Sequence, residues 1–110
     1  MSLRDGLYKV NFQTQLGAGD GVVVLEGGKI RGGDSIMYYA GTYSQDGDKF
    51  SAKLAIDRHS HTQGMNPVFG QDHVDITVHG TTQEDSAQVT GTAAGAPGVS
   101  FQASLTRIAD

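Results

Sequence analysis

Four histidines, His59, His61, His73 and His79, are the side chains in this chain best suited to hold a metal or move a proton. His59 and His61 are two apart, so on a strand they would share a face. A zinc or copper site needs a third and a fourth ligand, and Asp57, Asp72 or His73 are the residues available to supply them. The spacing matches no recognised metal motif, and the histidines read as polar loop residues with no metal. Asp57, Asp72 and Asp75 offer carboxylates for acid–base work. If Ile56 and Ile76 face inward, however, alternation sends Asp57 and Asp75 out into water. No serine stands in a nucleophile-elbow pattern. Gly17-Ala18-Gly19-Asp20-Gly21 has the look of a phosphate loop, but a valine-rich strand follows it where a dinucleotide site needs a helix. Gly32-Gly33-Asp34 shares three letters with a nucleotide-cyclase signature, whose remaining letters do not match. The residues therefore predict neither an enzyme nor a cofactor.

The elements that must position these side chains are strands. Phe50, Ala52, Leu54 and Ile56 alternate with Ser51, Lys53, Ala55 and Asp57, which gives one apolar face and one mostly polar face. Strands are predicted over Gly6–Thr14, Lys29–Gly32, Ile36–Ser44, Lys49–Arg58, Gln71–Gly80, Ser86–Ala93 and Val99–Thr106, and the unbroken apolar run Val22–Glu26 predicts one more, covered on both faces. Turns are expected at 15–21, at Gly27-Gly28, at 45–48 with Asp46-Gly47 at the tip, at 81–85 and at 95–98. The stretch 59–70 is the longest irregular one. A helical turn is expected there near 66–69, with Asn66 as cap, Pro67 at its first position, and Met65, Val68 and Phe69 plugging a barrel mouth. Eight short strands with short connections predict an all-β fold, an eight-stranded antiparallel up-and-down barrel. A two-sheet sandwich is the alternative.

One domain suits 110 residues, and the chain has no cysteine to staple or to bind metal. Eight basic against 12 acidic side chains, with no basic stripe, predict no direct nucleic-acid partner. No apolar run reaches the length of a signal peptide or a membrane span, so a cytoplasmic protein away from membranes is expected. Met1-Ser2-Leu3 reads as a leader without structural weight.

Two surfaces and one interior invite binding. On the fourth strand either Tyr38 or the Tyr39–Tyr43 pair must face outward. The outward tyrosine, with Val23 and Leu25 of the unbroken apolar second strand, would make a homodimer patch or simply cap a barrel end. The tip Gln45-Asp46-Gly47-Asp48 holds two carboxylates on a turn and serves either as a plain connection or as a docking point. Inside a barrel of eight strands there is room for packed side chains or for one small ligand. Large residues would fill that space, whereas Ala52, Ala87, Gly91 and Ala103 would leave it open.

The opening Asp5-Gly6-Leu7-Tyr8-Lys9-Val10-Asn11-Phe12, then Gly32-Gly33-Asp34-Ser35 and Tyr39-Ala40-Gly41-Thr42-Tyr43-Ser44, resembles the GrlR-like family, negative regulators of type III secretion gene expression. The resemblance covers the first half of the chain. It implies a lipocalin-like barrel, often dimeric, without enzyme activity, that regulates transcription by binding a transcriptional activator. It also implies that an acidic hairpin takes part, carried here by Gln45, Asp46, Gly47 and Asp48, of which Asp46 and Asp48 keep the acidic character. An apolar interior able to accept a lipid-like molecule is implied as well. The lining expected here is Tyr8, Val10, Phe12, Phe50, Leu54, Ile56, Val74, Ile76, Phe101 and Leu105.

Overall fold

A computed structural model describes residues 2–61, 63–67 and 70–110. Eight strands follow one another: β1 (Gly6–Thr14), β2 (Gly17–Glu26), β3 (Lys29–Gly33), β4 (Met37–Asp46), β5 (Lys49–Arg58), β6 (His73–Gln83), β7 (Ser86–Ala94) and β8 (Ala96–Ala109). They form one closed barrel in sequence order. Each strand pairs antiparallel with the next, and β1 closes on β8 with Val10 opposite Leu105 and Phe12 opposite Ala103. The expected all-β up-and-down barrel is therefore the fold, and closure leaves no sheet edge unpaired.

Register decides which side chains enter. Directly paired residues of antiparallel strands point to the same side. β5 commits Phe50, Ala52, Leu54 and Ile56 to the interior, all of them buried. Its partners Gln45, Tyr43, Gly41 and Tyr39 must then share that side of β4. Tyr38 is consequently the outward tyrosine, 46% exposed. The same logic runs through β2. Val23 lies opposite the fully buried Tyr8, so Val23 and Leu25 belong to the core, and Val22 and Val24 face out. The outward patch expected around Val23 and Leu25 is corrected accordingly to Val22, Val24 and Tyr38. Gly33 sits between Val22 and Tyr38 in the sheet and leaves them a shared apolar surface.

Several boundaries move. β2 begins at Gly17, so the turn shrinks to Gln15-Leu16. Glycines did not stop the strand, because Gly19 gives way to the ring of Phe12. A Cβ there would stand 3.0 Å from two ring carbons. β6 runs on to Gln83 and turns at Glu84-Asp85, where Asp85 takes the left-handed conformation. Thr82 is pulled inward and bonds the carbonyl of Asp48 through its N–H at 2.7 Å. β8 starts at Ala96 and continues to Ala109, longer at both ends than its alternation suggested. Gly41 marks the expected close approach, since a Cβ there would lie 1.9 Å from the Lys53 carbonyl oxygen.

The expected helical turn near 66–69 lies partly outside the described residues, which exclude Val68 and Phe69. Among those described there is no helix, and one turn-closing bond runs from the Gly70 N–H to the Pro67 carbonyl at 3.0 Å.

One further expectation is corrected. Leu3 is not part of a weightless leader but a core residue, 5% exposed. The segment before β1 crosses one end of the barrel. Gln45 clamps it by accepting the Leu3 N–H at 2.7 Å and donating to the Leu3 carbonyl at 3.1 Å. Ser2 donates to the Gly47 carbonyl, and Arg4 forks onto the Asp85 carboxylate. An apolar side chain at the open rim of a barrel stays exposed unless it turns inward, and Leu3 does so.

Candidate binding cavity and hairpin tip

The strand ends sort into two faces. The end carrying the 47–48, 84–85 and 27–28 turns is closed by Leu3 and Tyr8, whose hydroxyl donates to the Arg4 carbonyl at 2.7 Å. At the other end lie the Gln15-Leu16 turn, the Asp34–Ile36 connection and the stretch between β5 and β6. That end opens on a cavity of about 380 Å³. Such a volume falls within the roughly 300–1,000 Å³ of small-molecule sites.

Of the interior residues expected to line a cavity, Val10, Phe12, Phe50, Leu54, Ile56, Ile76, Phe101 and Leu105 do so. Tyr8 and Val74 do not. Both are buried, Tyr8 at the closed end with its hydroxyl committed to Arg4 and Val74 within the core. The question of a filled or open interior resolves into both. Phe12 packs edge-on against Tyr39 and stacks near Phe101, each at 6.2 Å between ring centres. Ala103 beside them leaves the space that the rings do not take. Gly64, Met65, Asn66 and Pro67 line the mouth, while the expected plug of Met65, Val68 and Phe69 lies partly outside the described residues.

Sequence reasoning missed the polar side of the mouth, made by Asp20, Asp34, Ser35 and Tyr39. Asp34 is held by its own turn. Its Oδ1 accepts the N–H groups of Ile36 at 2.9 Å and Met37 at 2.8 Å, and Oδ2 accepts the Tyr39 hydroxyl. Burial pushes the Tyr39 hydroxyl far above the usual phenol range, and its bond to Asp34 adds to that. The available signal was an aspartate followed by residues whose N–H groups need an acceptor before a strand begins.

The histidines are dispersed. β5 ends at Arg58, so His59 and His61 lie beyond the strand and do not share a strand face. The Nε2 of His59 donates to the Asp34 carbonyl at 3.0 Å, which leaves Nδ1 facing the Ser60 hydroxyl at 2.7 Å. His73 sits opposite Asp57 on the outer face, with Nδ1 2.5 Å from the Asp57 carboxylate and Nε2 3.4 Å from that of Asp75. The hydrogen bond that His73 donates to Asp57 and the charge of that carboxylate raise the His73 pKa above its usual value. Asp57 and Asp75 face outward as alternation required. Among the described residues, no group of three or more His, Asp or Glu side chains is arranged to hold a metal ion.

At the closed end the acidic hairpin turns through Gly47 and Asp48, one residue later than expected, with Gly47 in the left-handed conformation. Asp46 and Asp48 are exposed, whereas Gln45 is half-buried and occupied with Leu3. The tip thus presents two carboxylates from a base fixed by the Leu3 clamp and by the Thr82–Asp48 bond.

No protein-family model matches this chain, and no curated protein matches it. Fold and site together define a closed eight-stranded antiparallel barrel of lipocalin-like architecture, with an apolar cavity at one end and a fixed acidic hairpin at the other. No helix among the described residues is long and apolar enough to cross a membrane.

Proposed function

We propose that the chain is a non-enzymatic regulatory protein of the GrlR-like kind, acting in the cytoplasm by protein contact, with a transcriptional activator as its partner. The observation that carries the reading is the acidic tip. Asp46 and Asp48 stand exposed on a hairpin locked at its base, so docking there orders few side chains and loses little entropy. The outward apolar group Val22, Val24 and Tyr38 supports a homodimer, in which amphipathic and branched side chains meet across an axis. Replacing Asp46 and Asp48 together by Asn should leave Tm unchanged and lower affinity for the partner at least about tenfold, as loss of charged contacts does. Unchanged affinity in that variant would remove the assignment.

A second reading is favoured by the cavity. A barrel with apolar walls and one open mouth suits a small apolar ligand, as in a carrier. Ala103→Leu places added carbons in the free space, so it should abolish saturable binding of an apolar dye while the barrel stays folded. Dye binding at wild-type strength in that variant would place the dye outside the barrel and end the carrier reading.

A further inference from the structure

The charge pattern of the cavity says which apolar molecules fit it. Among the described residues lining it, the ionisable side chains are Asp20, Asp34 and Tyr39, with no Lys, Arg or His. The four residues outside the description, Met1, Thr62, Val68 and Phe69, have uncharged side chains. Four basic side chains belong to the same end, Arg58, His59, His61 and His73; none of them lines the cavity, and His73 turns to Asp57 and Asp75 on the outer face. Arg58 bonds the Ser60 carbonyl at 2.9 Å, the Asp72 carboxylate at 3.1 Å and the Met65 carbonyl at 3.4 Å. His59 turns its Nε2 to the Asp34 carbonyl and its Nδ1 to Ser60. Of the polar side chains in the lining, Ser35 and Asn66 both donate and accept, and the charged ones are all acidic. Asp20 offers a carboxylate. The Tyr39 hydroxyl donates its hydrogen bond to Asp34, so its oxygen has only lone pairs left for a guest.

We infer that the cavity selects an amphiphile whose head group donates hydrogen bonds, a long-chain amine or alcohol, and rejects a fatty-acid carboxylate. The inference rests on the carrier reading of the same cavity and gives it a ligand class. A fatty acid entering tail-first would bring its carboxylate beside Asp20 and Asp34 with no cation in the lining to pair it, and like charges at such a rim repel. An ammonium or hydroxyl head in that place gains a charge-assisted bond to Asp20, and an ammonium is attracted by the charge of Asp34 as well. The apolar wall of Val10, Phe12, Leu54, Ile76 and Phe101 accepts the tail in either case, so the head alone discriminates.

The test is displacement of the neutral dye N-phenylnaphthylamine from the folded protein at neutral pH by dodecylamine, dodecanol and dodecanoate, each below its micellar concentration. Dodecylamine is expected to displace the dye at about one tenth of the concentration dodecanoate needs, the ratio set by exchanging one repulsive charge pair for an attractive one near a surface. Dodecanol should fall between them. Asp20→Asn, a change at an exposed position, should narrow the ratio between amine and carboxylate while leaving Tm unchanged. Dodecanoate displacing as well as dodecylamine would overturn the head-group selection and leave the carrier reading standing. A dye that does not bind at all would overturn the carrier reading, and the selection with it.

Discussion

The two ends of the barrel are built on opposite principles. At the closed end polar groups satisfy one another and seal the interior. Gln45 holds both backbone groups of Leu3, Tyr8 bonds Arg4, and Arg4 forks onto Asp85. At the open end Asp34 is equally well bonded, yet it borders a space instead of filling it. Asp34 is satisfied by Ile36, Met37 and Tyr39, and none of these reaches across the mouth. Polar satisfaction alone does not close a barrel. An inward apolar side chain laid across the end does, as Leu3 is; at the mouth Ile36 and Met37 are buried as deeply but line the cavity wall, and Met65 is 39% exposed.

Substitutions can break this contrast. The largest effect is expected for Leu3→Ala, which should cost about 2 kcal/mol in urea denaturation, at the low end of values for buried leucine because a terminal segment can collapse into the gap. A loss within error would mean that Leu3 does not seal the end in solution. Tyr8→Phe removes one bond to the Arg4 carbonyl and should cost about 1 kcal/mol. Met65→Ser at the mouth should change stability by no more than about 0.5 kcal/mol, as exposed substitutions do, although it alters dye affinity. If Met65→Ser proves as costly as Leu3→Ala, the mouth is sealed and the contrast fails.

The smallest effect sharpens the contrast through pH. His73, beside Asp57 and Asp75 at the open-end rim of β5 and β6, has a raised folded pKa. The unfolded value is near 6.5. The stabilisation from protonated His73 is fully present below that value and is lost as pH rises through the higher folded value. Stability should therefore decline slightly across that window, and His73→Gln should flatten the decline. A profile identical in wild type and variant would show that the exposed pair contributes nothing measurable.

Much of the fold was legible because each strand carries its own alternation. β5 was found to the residue, and β1 likewise. Boundaries failed where a neighbour, not the local sequence, decided the matter. Gly17 to Gly21 looks like a turn until Phe12 needs the space over Gly19. Thr81 to Gln83 looks polar and turn-like until Thr82 finds the Asp48 carbonyl. Eight of the ten residues expected in the interior border the cavity, because period two marks inward residues without knowledge of the barrel.

What the sequence by itself determined is the number of strands, their faces taken one at a time, and the presence of an acidic hairpin. Each is a property of neighbours along the chain. Tertiary structure alone decided that Tyr39 points in and Tyr38 out, that Val22 and Val24 form the outer apolar face, that Leu3 closes one end, and that a cavity survives at the other. The physical reason is closure. Pairing β1 with β8 fixes every register at once, and only then do side-chain volumes from eight strands meet in one space where their sum leaves a gap.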